Sequence, residues 1–299
     1  MAHDGLLETL ANRTLLCDGG MGTQLLAAGL TTGESGVLWN VDQPQVIEAV
    51  HRRYLDAGCE LITTNTFTAS RTALTMYSLA DRTVELNEAA ARIARHAAGD
   101  GAWVLADIGP FGGFLEPLGE TTRAELHDVF TEQLIALREG GADAVIIETM
   151  SDPAELSIAV NAAKALGDWP VIATCAFQRA AERYVTMMGT SPSHVVKAAF
   201  DAGADIVGAN CGTDLNLDDY ARLAEQLLAA ADGRPVILQP NAGAPKQVDG
   251  VLQYPAEPRD MMELVRALLN QGVRIIGGCC GTTPDHLRMM AQARDRFGS

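Results

Sequence analysis

Short apolar runs, rich in β-branched residues, recur along the chain: TLLCD (14–18), LITTN (61–65), WVLAD (103–107), AVIIE (144–148), VIATCAF (171–177), DIVGAN (205–210), PVILQPN (235–241) and RIIGG (274–278). Most are near-continuously apolar, as strands buried on both faces should be, and lack the alternation of a strand with one wet face. Parallel strands of this kind need crossovers.

Between the runs the period changes to that of amphipathic helices, as in PQVIEAVHRRYLDAG, RTVELNEAAARIARHAA, RAELHDVFTEQLIALREGG, PAELSIAVNAAKALG, SPSHVVKAAFDAG, LDDYARLAEQLLAAA and PRDMMELVRALLNQG. Several begin with Pro near the first turn and end in Gly, the expected asymmetry of helix caps. A repeated phrase at Ala57-Gly58, Gly141-Ala142-Asp143 and Ala202-Gly203-Ala204-Asp205 stops a helix and feeds the next strand. With a last helix expected over 284–296, the pattern predicts an α/β fold: one (β/α)8 TIM barrel over 1–299, its site at the C-terminal strand ends. A doubly wound open sheet is the alternative. Against it, no GxGxxG opens a helix after the first run, and no GxxxxGK[ST] phosphate loop occurs.

Composition adds a sizeable core, since 47% of residues are apolar and 20% charged. The formal charge of −16 disfavours nucleic acid and anionic membrane as partners. Neither a secretory leader nor an apolar run long enough to span a bilayer is evident, so a cytoplasmic location is expected. The six cysteines, two of them adjacent, read as reduced thiols rather than a disulfide framework. Cys17, Cys59 and Cys175 fall in or beside apolar segments and are expected in the core. His51, His96, His127 and His194 are read as surface groups on helices, and His286 as part of the capping segment TTPDH.

Under the barrel reading, polar residues gather where strands end: Asp18, Asn65, Asp107, Glu148, Cys211, Asn241 and the pair Cys279 and Cys280. A shared cavity explains such clustering better than packing does. Cys211 in GANCGT and the pair in GGCCGTT would bring three thiolates to one point, a zinc site with one coordination position left over. Gly277, Gly278 and Gly281 supply the turn freedom the adjacent pair needs. A zinc bound by three thiolates is a poor generator of hydroxide, yet it can hold a substrate thiol as an electron-rich thiolate, so thiol alkylation fits better than hydrolysis.

The other motifs each admit two readings. DGGMGT (18–23) either presents backbone N–H groups around an anion, with Asp18 taking a cationic amine, or is a glycine turn. Glu148 is a second ammonium partner or a helix N-terminal charge. Asn241 in QPNAG fills the metal's fourth position when substrate is absent, or is a turn residue. Asn65 and Thr66 in TTNTF, with the long loop IGPFGGFLEPLGETT, either shape a donor side or are surface connections.

DGGMGT, TTNTF, the glycine- and proline-rich loop, IIET, GANCGT, QPNAG and GGCCGTTPDH, in this order, resemble the zinc-dependent homocysteine S-methyltransferases over nearly the whole chain. That family includes betaine– and S-methylmethionine–homocysteine methyltransferases and the homocysteine domain of cobalamin-dependent methionine synthase. The resemblance implies a barrel in which Cys211, Cys279 and Cys280 bind zinc, the homocysteine sulfur takes the fourth position, and methyl transfer gives methionine. It also implies that Asp18 and Glu148 hold the substrate ammonium, the amides around Gly19 and Gly20 its carboxylate, and that Asn241 is the asparagine that occupies zinc without substrate; Asn65 belongs to the same substrate-binding set.

TTNTF and QPNAG look most similar to the methionine synthase branch, but the 299 residues contain no DxHxxG cobalamin motif. The donor is therefore expected to be a diffusing molecule such as S-methylmethionine, or a methylcorrinoid on a separate corrinoid protein. With only 5% aromatic residues and Trp39 alone after the first strand, betaine is the least favoured donor. The rival expectation is a noncatalytic corrinoid- or thiol-binding subunit; a different thiol or a selenol as acceptor is a third.

Overall fold

In the computed structural model, which describes residues 5–248 and 251–298, each apolar run becomes a parallel strand: β1 (Leu15–Leu16), β2 (Leu61–Thr63), β3 (Trp103–Ile108), β4 (Ala144–Met150), β5 (Val171–Cys175), β6 (Ile206–Asn210), β7 (Val236–Gln239) and β8 (Ile275–Ile276). Their order is β1-β8-β7-β6-β5-β4-β3-β2. The ends of this sheet meet, because Cys17 bridges Leu61 in parallel and the Asp18 N–H donates to the Leu61 carbonyl at 3.0 Å. The open-sheet alternative is thereby excluded, and the fold is a (β/α)8 barrel.

The two-residue side-chain period of a strand sorts the barrel into an outer and an inner face. Val104, Ala106, Val145, Ile147, Val207, Leu238 and Ile276 lie in clusters that the surrounding helices complete. Leu15, Leu61, Leu105, Ile146, Ile172, Ile206, Ile237 and Ile275 form a separate cluster, the barrel interior. A helix not anticipated above, Leu6–Asn12, adds Leu6 and Leu10 to that cluster and so fills the N-terminal end. Each inner apolar residue is followed two positions later by a polar or small one: Cys17, Thr63, Asp107, Glu148, Thr174, Gly208, Gln239 and Gly277. The alternation that buries the isoleucines thus delivers hydrophilic groups to the opposite end.

The helix-stop phrase has a physical basis. Gly58, Gly141 and Gly203 adopt φ of +99°, +98° and +104°, the left-handed region that side chains avoid. The acid that follows then clamps the start of a neighbouring strand: Asp143 Oδ2 accepts from the Val104 N–H at 2.7 Å, and Asp205 Oδ2 from the Val171 N–H at 2.8 Å. Asp205 also accepts from Lys164 at 2.7 Å.

Cys17, Cys59 and Cys175 are buried as expected. His51 is a correction: it is completely buried in the helix Pro44–Asp56, with neither ring nitrogen hydrogen-bonded among the described residues. It falls on the helix face shared by Ile47, Val50 and Tyr54, and burial pushes its pKa down to about 4. Two hairpins, Gln178–Ala180 with Arg183–Val185 and Lys246–Val248 with Val251–Gln253, extend the loops after β5 and β7. No described helix is long and apolar enough to cross a membrane.

Candidate active site

At the C-terminal mouth the loops after β6 and β8 bring Cys211, Cys279 and Cys280 together. All three sulfurs lie within 4.8 Å of one another, and Cys280 Sγ is 4.0 Å from both Cys211 Sγ and Cys279 Sγ. Tetrahedral zinc–thiolate bonds of about 2.3 Å place their sulfurs about 3.8 Å apart, so the donor set and its spacing suit zinc with the fourth position open. Cys279 reaches the mouth by the inner-face alternation. Cys211 follows Asn210 out of phase and is turned by a left-handed φ of +52°. Hydrogen bonds with Cys211 and Cys279 lower the Cys280 pKa, whereas Cys279 is pushed up by its hydrogen bonds with Cys211 first and Cys280 second, and then by burial.

Asn241 bolts the two cysteine loops to each other. Its Nδ2 donates to the Gly212 carbonyl at 3.2 Å and its Oδ1 accepts from the Cys280 N–H at 3.1 Å. Tyr220 lies beneath, its hydroxyl donating to the Cys211 carbonyl and accepting from the Asn241 N–H at 3.2 Å. Two further residues went unread in the sequence. Asn210 accepts from the Thr149 N–H and the Thr174 hydroxyl, both at 2.7 Å, and its Nδ2 lies 4.0 Å from Cys279 Sγ. Tyr254 occupies the space that a side chain at Gly281 would need. For Asn210 the usable signal was a polar residue in phase with the inner face. Tyr254 follows a hairpin with no hydrophobic pattern to announce it.

The DGG turn packs directly on the cysteine loop. A Cβ on Gly19 would lie 2.5 Å from Thr282 Oγ1, and one on Gly20 would lie 2.6 Å from the Cys279 carbonyl oxygen. The Gly20 N–H already donates to Thr282 Oγ1 at 3.1 Å, and the Asp18 carbonyl accepts from the Gly278 N–H at 2.9 Å. The Asp18 carboxylate accepts from the Thr63 N–H at 2.8 Å; burial nevertheless pushes its pKa up to about 7. Glu148 is raised to about 8, by burial first and then by Cys211 and Asp18. Two carboxylates short of a cation suit an ammonium ligand. Asn65 is placed differently: its Nδ2 donates to the Gly36 carbonyl at 2.8 Å and to Asn40 Oδ1 at 3.0 Å, fastening the segment after β1 to the end of β2.

A cavity of about 470 Å³, walled by Phe111, Phe114, Leu118, Glu155 and Met187, reaches Thr149. Thr149 Oγ1 accepts from Asn210 Nδ2 at 2.7 Å, which links this wall to the cysteines. Glu155 is buried, accepts from the Phe111 N–H at 2.8 Å and is raised to about 7 by burial.

A sequence profile described as homocysteine S-methyltransferase matches residues 15–294. The methionine synthase of Mycobacterium leprae is 34% identical over 310 residues, covering 96% of this chain and 25% of its own length. The methionine synthase of Mycobacterium tuberculosis is 33% identical over 308 residues, again covering 25% of its length. The chain therefore spans about a quarter of these curated relatives. Among solved structures, the metallated homocysteine methyltransferase MmuM of Escherichia coli superposes with a TM-score of 0.79 at 21% identity, covering 97% of this chain and 99% of that one.

Proposed function

The chain belongs to the homocysteine S-methyltransferase family, and from that premise we propose that it transfers a methyl group to the thiol of homocysteine, forming methionine, at a zinc ion held by Cys211, Cys279 and Cys280. The observation that carries this reading is the meeting of those three sulfurs within 4.8 Å at the barrel mouth. Zinc held by these residues would lower the pKa of a thiol that binds it and so supply the acceptor as a thiolate near neutral pH. Asn241 and Tyr220 hold the two cysteine loops at ligating distance, and Asn210 steadies Cys279. Asp18 and Glu148 orient the substrate ammonium, and the backbone around Gly19 and Gly20 meets its carboxylate. The thiol proton passes to solvent as the acceptor docks; the sulfur then attacks the donor methyl in line, the new S–CH3 bond forming as the bond to the donor's leaving group breaks, which for S-methylmethionine releases methionine. Six free cysteines suit a reducing compartment such as the cytoplasm.

For the donor, the cavity of about 470 Å³ is large enough for a small sulfonium such as S-methylmethionine, and the buried acid Glu155 suits a cation there. A second reading has its own observation: Phe114, Leu118 and Met187 are 59%, 72% and 71% exposed around the same opening, an apolar lip that suits a separate methylcorrinoid protein. The test is methionine formation by zinc-loaded chain supplied with S-methylmethionine, methylcobalamin, betaine or methyltetrahydrofolate. Turnover with S-methylmethionine, lost in Cys279→Ser, is the expected result. Undiminished turnover in that variant overturns the zinc site, and turnover with methylcobalamin alone moves the donor to the second reading.

A further inference from the structure

Among the described residues, Asp107 is the one inner-face carboxylate at the mouth to which no role has been given. It follows Trp103 and Leu105 on the interior side of β3, and it is 5% exposed. Its backbone is fixed at both ends: the N–H donates to Thr64 Oγ1 at 3.0 Å, and the carbonyl accepts from Thr66 Oγ1 at 2.7 Å. Its Oδ1, in contrast, has no hydrogen-bond partner among the described residues. A buried carboxylate oxygen left without a donor is costly unless a ligand completes it.

The barrel order says which ligand. Asp18 is tied to Thr63 on β2, whose register partner on β3 is Leu105, one inner-face step below Asp107. On the other side, Asp107 pairs with Ile146 of β4, one inner-face step below Glu148. Asp107 therefore stands between the two carboxylates already given to the acceptor's ammonium.

We propose that Asp107 is a third contact of that ammonium, making the site selective for thiols that carry a free α-amino group; this rests on the reading of the chain as a homocysteine methyltransferase. Burial, then the charges of Glu148 and Asp18, raise the Asp107 pKa, as expected for a carboxylate awaiting a cation. An ammonium has three N–H donors, and three carboxylates meet all of them. A thiol of the same length without the amine would leave all three buried acids without a hydrogen-bonding cation.

The experiment compares homocysteine with 4-mercaptobutanoate, which keeps the thiol and carboxylate and lacks the amine, as acceptors for zinc-loaded wild type, Asp107→Asn and Asp107→Ser. Wild type is expected to prefer homocysteine by at least 100-fold in kcat/KM. Asp107→Asn, nearly isosteric, is expected to raise KM for homocysteine at least tenfold while the rate with 4-mercaptobutanoate holds or increases, so that the preference narrows by the same factor. Zinc content and thermal midpoint serve as fold controls, and Asp107→Ser provides a second folded variant should the amide disturb packing. An unchanged preference in a folded variant, or an equal loss on both acceptors, overturns the proposal and leaves the methyltransferase reading standing. Failure of wild type to methylate homocysteine with any donor overturns both.

Discussion

Replacing Asn241 by alanine removes a side chain that is 2% exposed and joins the two cysteine loops by a hydrogen bond at each end of its amide. Truncation loses two neutral hydrogen bonds, each contributing about 1 kcal/mol net, and strands a half-buried Gly212 carbonyl and Cys280 N–H, at about 1–3 kcal/mol apiece where water does not reach them. Because the loops can relax partway, the expected destabilisation of zinc-free chain is about 2–4 kcal/mol. That corresponds to a thermal midpoint lower by roughly 3–6 °C in a domain of this size. The same loss frees the Cys211 loop from the Cys280 loop, and zinc affinity should fall about 10- to 100-fold, as for other residues that orient metal ligands. Thermal unfolding of stripped protein measures the first effect, and competition with a chromophoric zinc chelator the second. Asn241→Asp keeps an acceptor for Cys280 but loses the donor to Gly212, and should fall between wild type and alanine in stability. If Asn241→Ala unfolds within about 1 °C of wild type and binds zinc within twofold, the bolt does not exist.

Zinc removal by a chelator should abolish turnover while leaving the circular dichroism spectrum intact, because the core is apolar and independent of the thiols; a collapse of secondary structure would contradict this. Asp18 and Glu155 have folded pKa values of about 7, above their unfolded ones, so the folded chain keeps protons that the unfolded chain has released above about pH 4. Their contribution to stability is therefore fully present below the unfolded values and lost as pH rises toward 7. Urea midpoints of substrate-free protein should fall between pH 5 and 8, with a shallower slope in Glu155→Gln; a rise over that range would refute the assignment. Gly20→Ala should destabilise by about 1–3 kcal/mol and weaken zinc binding, since its Cβ would lie 2.6 Å from the Cys279 carbonyl oxygen. Gly22→Ala, which meets nothing within 4 Å, is the control and should unfold no earlier than wild type.

The barrel was legible because strands buried on both faces need unbroken apolar sequence, and helices that cover them need a 3.6-residue stripe. Strand limits were less so: RIIGG yields only Ile275–Ile276, since Gly277 and Gly278 belong to the turn that carries the cysteines. The helix Leu6–Asn12 has one turn of apolar residues and no capping side chain, too little pattern to separate it from a loop. The cysteine triad was visible because thiols after two separate apolar runs have few structural uses. Asn210 and Asn241 were harder, because what distinguishes them is a partner 61 or 39 residues away that no local spacing encodes. His51 was misread for a related reason: helical patterning locates a face, and a polar side chain on the apolar face looks like noise until the packing is seen.

The plug of Leu6 and Leu10 makes the barrel a cul-de-sac. Under the proposed reaction, amino acid, methyl carrier and spent carrier would all pass one doorway, and methionine would have to vacate it before another homocysteine could seat itself. Traffic, and not only bond-making, is then built into the turnover cycle, with the tenant and the newcomer competing for a single threshold.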